Sequence, residues 1–123
     1  MALPFTAVLS PGLPLHDQIV FAATKAIVTG QLRAGDLFPS VRTISQELRI
    51  NPNTAQKIVT SLARRGLLDA RPGIGTVVAD WRPPANAARR QFVAPLIEHL
   101  VIEAKYLRLD ASDVIDAIRR EWK

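Results

Sequence analysis

The stretch Arg49-Ile50-Asn51-Pro52-Asn53-Thr54-Ala55-Gln56-Lys57, read as RINPNTAQK, decides how this chain is organised. Asn51 is a strong helix N-cap, and Pro52 suits the first helical position, where a missing N–H costs nothing. A helix therefore opens here. Ala55, Ile58, Val59 and Leu62 recur at i, i+3, i+4 and i+7 and give it one buried stripe. Asn53, Gln56, Lys57, Thr60 and Arg64 make a continuous polar stripe opposite. Gly66 ends the helix after Arg64 and Arg65, whose charges suit the negative end of its dipole.

Upstream, the spacing of Ile19, Ala22, Ala23, Ala26 and Ile27 predicts a helix from about Leu15 to Thr29, stopped by Gly30. Gly35-Asp36 turns the chain, and Phe38-Pro39 leads to Ser40, the N-cap of a second, short helix ending near Arg49. In this helix Val41, Ile44 and Leu48 face one way, and Thr43 stands at the third helical position. Downstream, Leu67 to Arg71 and Thr76 to Ala79 flank Pro72-Gly73-Ile74-Gly75, which reads as a β-hairpin. The expected organisation is a domain over residues 1–80, a proline-stiffened linker over 81–86 and a tail over 87–123. The fold class is α+β, mainly α. It comprises a winged helix-turn-helix, with three helices and a β-hairpin, followed by a two-helix tail.

In a winged helix-turn-helix the third helix enters the DNA major groove by its N-terminal residues, and the hairpin reaches the flanking backbone or minor groove. Asn53 and Gln56 amides can pair with adenine, and Lys57 can donate to guanine or a phosphate. Arg42, at the start of the second helix, reaches a guanine edge or the backbone, while Ser40, Thr43 and Thr54 can donate to phosphates from helix N-termini. For a lone helix, a solvated face with ordinary caps would be the plainer reading. The three-helix-plus-hairpin context favours DNA. So does the charge: residues 1–90 hold 11 Lys/Arg against 5 Asp/Glu, and residues 91–123 hold 5 against 6. The excess belongs to the first part, as expected if that part meets a polyanion.

The same residues carry a resemblance. PLHDQI at 14–19, Gly30-x-Leu32-x-x-Gly35-Asp36, FPSVRTISQEL at 38–48, INPNTAQK at 50–57, RRGLL at 64–68 and GIGTVV at 73–78 resemble the GntR family of bacterial transcription regulators. The Asn-Pro-Asn-Thr turn and the short tail are similar to its YtrA subgroup. The match runs over residues 14–79 in order and spacing. It implies that Arg42 and the Asn51–Lys57 segment contact operator DNA, with Gly73 at the wing tip. Three departures stand out. Pro52 occupies a place where many members carry Arg, so their operator code does not transfer. Ile74 stands at the wing's variable, often basic, position, which makes Arg71 the nearer candidate for a minor-groove contact. Phe38 replaces the usual Leu, an expected change of packing only.

The tail carries Phe92, Val93, Leu96, Ile97, Leu100, Val101, Ala104 and Leu107 on one predicted helix (about 87–107), and Val114, Ile115, Ile118 and Trp122 on another (about 111–122). Pro95 marks either a kink or the true start of the first of these. Asp110 is the expected N-cap of the last helix, with Asp113 and Asp116 near its start and Arg119, Arg120 and Lys123 near its end. Two helices cover each other only in part, so the leftover apolar surface is expected against a second copy. The dimerising set is Phe92, Leu96, Leu100, Ala104, Leu107, Val114, Ile118 and Trp122. The alternative is that the tail folds back on the first domain. A two-fold dimer would bind an inverted-repeat operator. The subgroup resemblance implies the same dimer, and repression of an operon that often encodes an ABC-type transporter. A small-molecule effector, if there is one, is expected at the dimer interface or between tail and domain, near Arg89, Arg90, His99 or Tyr106. Each of these also reads as a surface or interface residue.

Other functions are poorly supported. The chain has no Cys, which excludes disulfides and thiolate chemistry. Its two histidines, His16 and His99, share no motif, and adjacent His16 and Asp17 are expected to point apart on their helix. Gly73-Ile74-Gly75 lacks the strand–loop–helix setting of a nucleotide loop. No cofactor, metal or catalysis is expected. A winged helix used only for protein contacts would show an apolar or acidic face on its third helix. Sequence-blind DNA binding would not need its amides. The opening MALPFTAVLSPGLP lacks a basic start and is broken by Pro4, Pro11 and Gly12, so it does not read as a signal peptide. No run reaches membrane-spanning length, and a cytoplasmic protein is expected.

Overall fold

A computed structural model describes residues 3–122 of the 123. The order is α1 (Leu15–Val28), α2 (Val41–Leu48), α3 (Pro52–Arg64), β1 (Leu68–Arg71), β2 (Gly75–Val78), α4 (Asn86–Tyr106) and α5 (Ala111–Glu121). Lys123, expected near the end of the last helix, lies outside the described residues. The chain divides into two units, one up to Arg82 and one from Pro83 onward.

In the first unit, α1, α2 and α3 pack around Ile19, Ile44, Ile58 and Leu62, all fully buried, and the base of the hairpin adds Leu67, Leu68 and Val78. The helices begin and end for local reasons. Ser40 Oγ accepts from the Thr43 N–H at 3.1 Å and caps α2. Asn51 Oδ1 accepts from the Asn53 N–H at 2.7 Å and caps α3, with Pro52 at its first position. The turn between them is Arg49-Ile50-Asn51. Arg49 adopts left-handed backbone (φ 54°), and the Ile50 N–H closes on the Ser45 carbonyl at 3.0 Å. An arginine thus does what a glycine more often does in a helix-turn-helix.

The hairpin is antiparallel, pairing Leu68 with Val78 and Arg71 with Gly75. Its tip, Arg71-Pro72-Gly73-Ile74, is a turn with Pro at the second place and Gly73 at φ 76°, closed by Ile74 N–H to Arg71 O at 3.0 Å. Burial follows distance from the core more than alternation of faces: Leu68, Val77 and Val78 are buried, and Arg71 to Gly75 are exposed. A third extended segment, not expected from the sequence, joins the hairpin. Leu37 bridges Val77, Phe38 N–H donates to Thr76 O, and Val78 N–H donates to Asp36 O.

Two other differences concern the ends of this unit. Phe5 is buried, and Gln18 holds the N-terminal segment to α1, accepting from Ser10 N–H at 2.6 Å and donating to the Ser10 and Leu13 carbonyls. Trp81, placed in the linker by its neighbouring prolines, is half-buried against the core of the first unit. An indole gains more from apolar cover than a linker would offer it.

In the second unit α4 runs unbroken through Pro95, so the helix starts well before the proline. It ends in a Schellman turn: Arg108 at φ 57°, with Leu109 N–H to Ala104 O and Arg108 N–H to Lys105 O. Asp110 and Asp113 then form a reciprocal capping box at the start of α5, at 2.9 and 3.0 Å. At 1.5 Å per residue the 21-residue α4 is about 32 Å long and the 11-residue α5 about 17 Å, so α5 can shield only part of α4. Ala104 is the buried residue of the pair, small enough to let the helices approach.

Candidate nucleic-acid interface

The polar stripe of α3 is an open face. Asn53, Gln56, Lys57 and Arg64 are exposed, while Thr54 and Thr60 are half-buried. Gln56 Nε2 donates to Thr60 Oγ1 at 3.3 Å, one turn along, which steadies the amide on the helix surface. The helix contains no acidic residue. Neither Lys57 nor Arg64 has an ion pair among the described residues. The face therefore presents uncompensated positive charge together with amide and hydroxyl groups.

The remaining candidates are arranged around it in distinct ways. Arg42 is exposed on the first turn of α2. Ser40 and Thr43 lie at the mouth of the same helix, but the Ser40 hydroxyl is engaged, accepting from Thr43 N–H and donating to Thr43 Oγ1 at 3.0 Å. The Asn51 carbonyl oxygen is likewise committed to its cap, leaving the amide NH2 as its outward group. Arg71 and Gly73 are exposed at the hairpin tip beside Ile74, which is 62% exposed.

The structure also adds two residues. A concavity of about 360 Å³ is lined by Gln56, Lys57, Thr60 and Arg64 together with Ser61 and His16 of α1. His16 Nε2 lies 2.9 Å from Ser61 Oγ, and His16 Nδ1 lies 3.1 Å from Asp17 Oδ1. This corrects the expectation that His16 and Asp17 point apart. In the first turn of α1 the imidazole lies so that each ring nitrogen finds a partner. Ser61 was legible in principle, since it continues the 57, 61, 64 spacing. His16 was not, because 45 residues separate it from Ser61 and only packing of α1 on α3 joins them.

Residues 15–78 match the family described as bacterial regulatory proteins, gntR family, which covers both this face and the hairpin. The chain belongs to the GntR family. It is a DNA-binding transcription regulator, and the family is one of regulators rather than enzymes. The GntR chain is similar to the uncharacterized HTH-type transcriptional regulator YhcF of Bacillus subtilis, 27% identical over 106 residues, 86% of this chain and 88% of that protein. It is also similar to the HTH-type transcriptional repressor YtrA of the same organism, 24% identical over 107 residues, covering 86% and 82% of the two chains. Both alignments are longer than the first unit and so extend into the second. Among solved structures it resembles a transcriptional antiterminator from Listeria monocytogenes EGD-e. The TM-score is 0.82 and the identity 22%, over 97% of this chain and 90% of that one, which shows a shared fold.

The tail residues divide into two groups. Ala104 is buried and Val114 half-buried within the chain. Phe92 (68% exposed), Leu96 (70%), Leu100, Leu107, Ile118 and Trp122 (84%) are exposed. An apolar groove of about 420 Å³ runs between α4 and α5, lined among others by Ile97, Leu100, Val101, Ile115 and Ile118. None of Arg89, Arg90, His99 and Tyr106 lines it. Arg89 instead donates from Nε to the Pro84 carbonyl at 2.6 Å. Among the described residues no cluster of His, Asp or Glu could hold a metal, and no helix is long and apolar enough to cross a membrane.

Proposed function

We propose that this GntR regulator is a sequence-specific repressor that binds an inverted-repeat operator as a homodimer in the cytoplasm. The observation that carries the reading is the face of α3, an acid-free stripe of Asn53, Gln56, Lys57, Thr60 and Arg64 left open beside Arg42 and the hairpin. Amides offer paired donor and acceptor groups to base edges, and unpaired cations attract phosphates. Thr43, the Asn51 amide NH2 and Thr54 fix the register from the helix mouths, with Ser40 orienting Thr43, and Arg71 and Gly73 approach the backbone from the hairpin.

Dimerisation is supported by the tail. Phe92, Leu96, Leu107 and Trp122 are large, apolar and uncovered in a single chain, and a two-fold partner would bury them. Repression is supported by similarity to a named repressor, the Bacillus subtilis YtrA. Control of a transporter operon rests on the subgroup resemblance alone.

The test is selection from a pool of random duplexes with the purified full-length protein. Enrichment of an inverted repeat is expected. Retention without enrichment would show sequence-blind binding, and no retention at moderate salt would overturn the DNA reading of this face.

A further inference from the structure

The concavity between α1 and α3 holds a hydrogen-bond chain that the base-reading stripe does not use. Asp17 Oδ1, His16 and Ser61 Oγ are linked in series at 3.1 and 2.9 Å, and Ser61 opens onto the space lined by His16, Gln56, Lys57, Thr60 and Arg64. Two permanent cations and several donors surround this space, and no carboxylate lines it. An anion with several acceptor oxygens fits such a lining, and a DNA backbone phosphodiester is the one that a face bound to DNA would meet.

The direction of the chain decides what Ser61 can offer. The carboxylate of Asp17 accepts, so Nδ1 of His16 carries a hydrogen. In neutral His16, Nε2 is then an acceptor, and the Ser61 hydroxyl must donate to it. Ser61 in that state turns only lone pairs toward the concavity, the wrong polarity for an anion. Adding one proton at Nε2 reverses the bond. Nε2–H donates to Ser61 Oγ, and the hydroxyl hydrogen is released to donate outward.

We propose that the Asp17–His16–Ser61 chain completes a proton-linked phosphodiester site, so that seating a backbone phosphate takes up one proton from solvent at His16. The proposal rests on the reading of α3 as the DNA face. The charged groups around His16 act in both directions. Asp17 and the incoming phosphate favour the imidazolium. Lys57 and Arg64 of α3 oppose it, and Arg65 shares an adjacent depression with Asp17. Phosphate binding tips this balance because it adds negative charge where the cations already stand.

Calorimetric titration of the full-length protein with the selected duplex, in buffers of differing ionisation heat at fixed ionic strength, counts the protons taken up. Wild type is expected to take up more protons per duplex bound than His16→Gln at neutral pH, the difference being the uptake at His16. The wild-type Kd should tighten between pH 8 and pH 6 several-fold more than that of His16→Gln, because binding coupled to proton uptake strengthens as pH falls. His99 is present in both proteins, so its contribution cancels. Ser61→Ala serves as a second variant and should weaken binding at pH 6 much more than at pH 8. Equal proton uptake in wild type and His16→Gln would overturn the proposal, as would a pH-independent effect of Ser61→Ala. Tight DNA binding with no such linkage would sink this inference and leave the DNA reading standing. An absence of DNA binding by wild type would sink both.

Discussion

The ring of Phe5 stacks on that of Phe38, with centroids 5.8 Å apart and planes inclined by 10°. Both are buried, and they join the N-terminal segment to the approach to α2. Phe38 also donates its N–H to Thr76 O on the hairpin, so the stack lies over the joint that aligns hairpin and helix-turn-helix. Phe38 thus has a packing partner in Phe5.

Phe5→Ala should destabilise the first unit by about 3 kcal/mol, near the lower end for buried aromatic truncation because the N-terminal segment can rearrange. Thermal denaturation of wild type and variant measures it. A loss under about 1 kcal/mol would mean that the segment contributes little to the core.

Gln56→Ala and Arg64→Ala should separate base reading from charge. The amide variant is expected to change which bases are preferred in the selected operator, with discrimination at one position falling by about 1–3 kcal/mol. The arginine variant is expected to weaken all duplexes alike and to lower the salt slope of binding by about 0.9 for each half-site occupied. Competition titrations across a panel of single-base operator variants and several salt concentrations distinguish the two. An unchanged preference in Gln56→Ala would remove that residue from base reading.

Backbone strain predicts opposite signs at two helix ends. Gly66 follows α3 at φ 75° with open space around the place a Cβ would occupy, so Gly66→Ala should cost about 1 kcal/mol by conformation alone. Arg108 holds a comparable left-handed conformation, φ 57°, after α4. Arg108→Gly should therefore stabilise the tail by up to about 0.5 kcal/mol, relief of strain outweighing the added freedom of the unfolded chain. Urea denaturation at equal protein concentration reports both signs.

Leu96 is 70% exposed on a part of α4 that does not line the α4–α5 groove. Leu96→Glu should therefore leave the helix content of the chain intact while shifting a dimer to monomer, as read by sedimentation and circular dichroism. Operator affinity should fall with it, because two half-sites would no longer be bound together. A Leu96→Glu protein that sediments like wild type would place the interface elsewhere or nowhere on α4.

Most helix boundaries were legible because they are written locally. Asn51-Pro52, Ser40 and Asp110 open helices through bonds to residues two or three positions away, and these bonds are present. The polar and apolar stripes of α3 follow from helical period, and the structure keeps them on opposite faces. The continuous α4 was less legible, since Pro95 costs one backbone bond that the flanking turns of helix outweigh.

What the sequence by itself determined is therefore the set of elements, their order and the polar stripe of α3, all governed by contacts within a turn or two of chain. Tertiary structure alone decided that Leu37 pairs with Val77, that Phe5 stacks on Phe38, and that His16 reaches Ser61 across 45 residues. Each of those pairs is brought together by the burial of other side chains. A single bridge, ring or hydroxyl carries no periodicity, and its partner is set only once the core around Ile19, Ile44, Ile58 and Leu62 has closed.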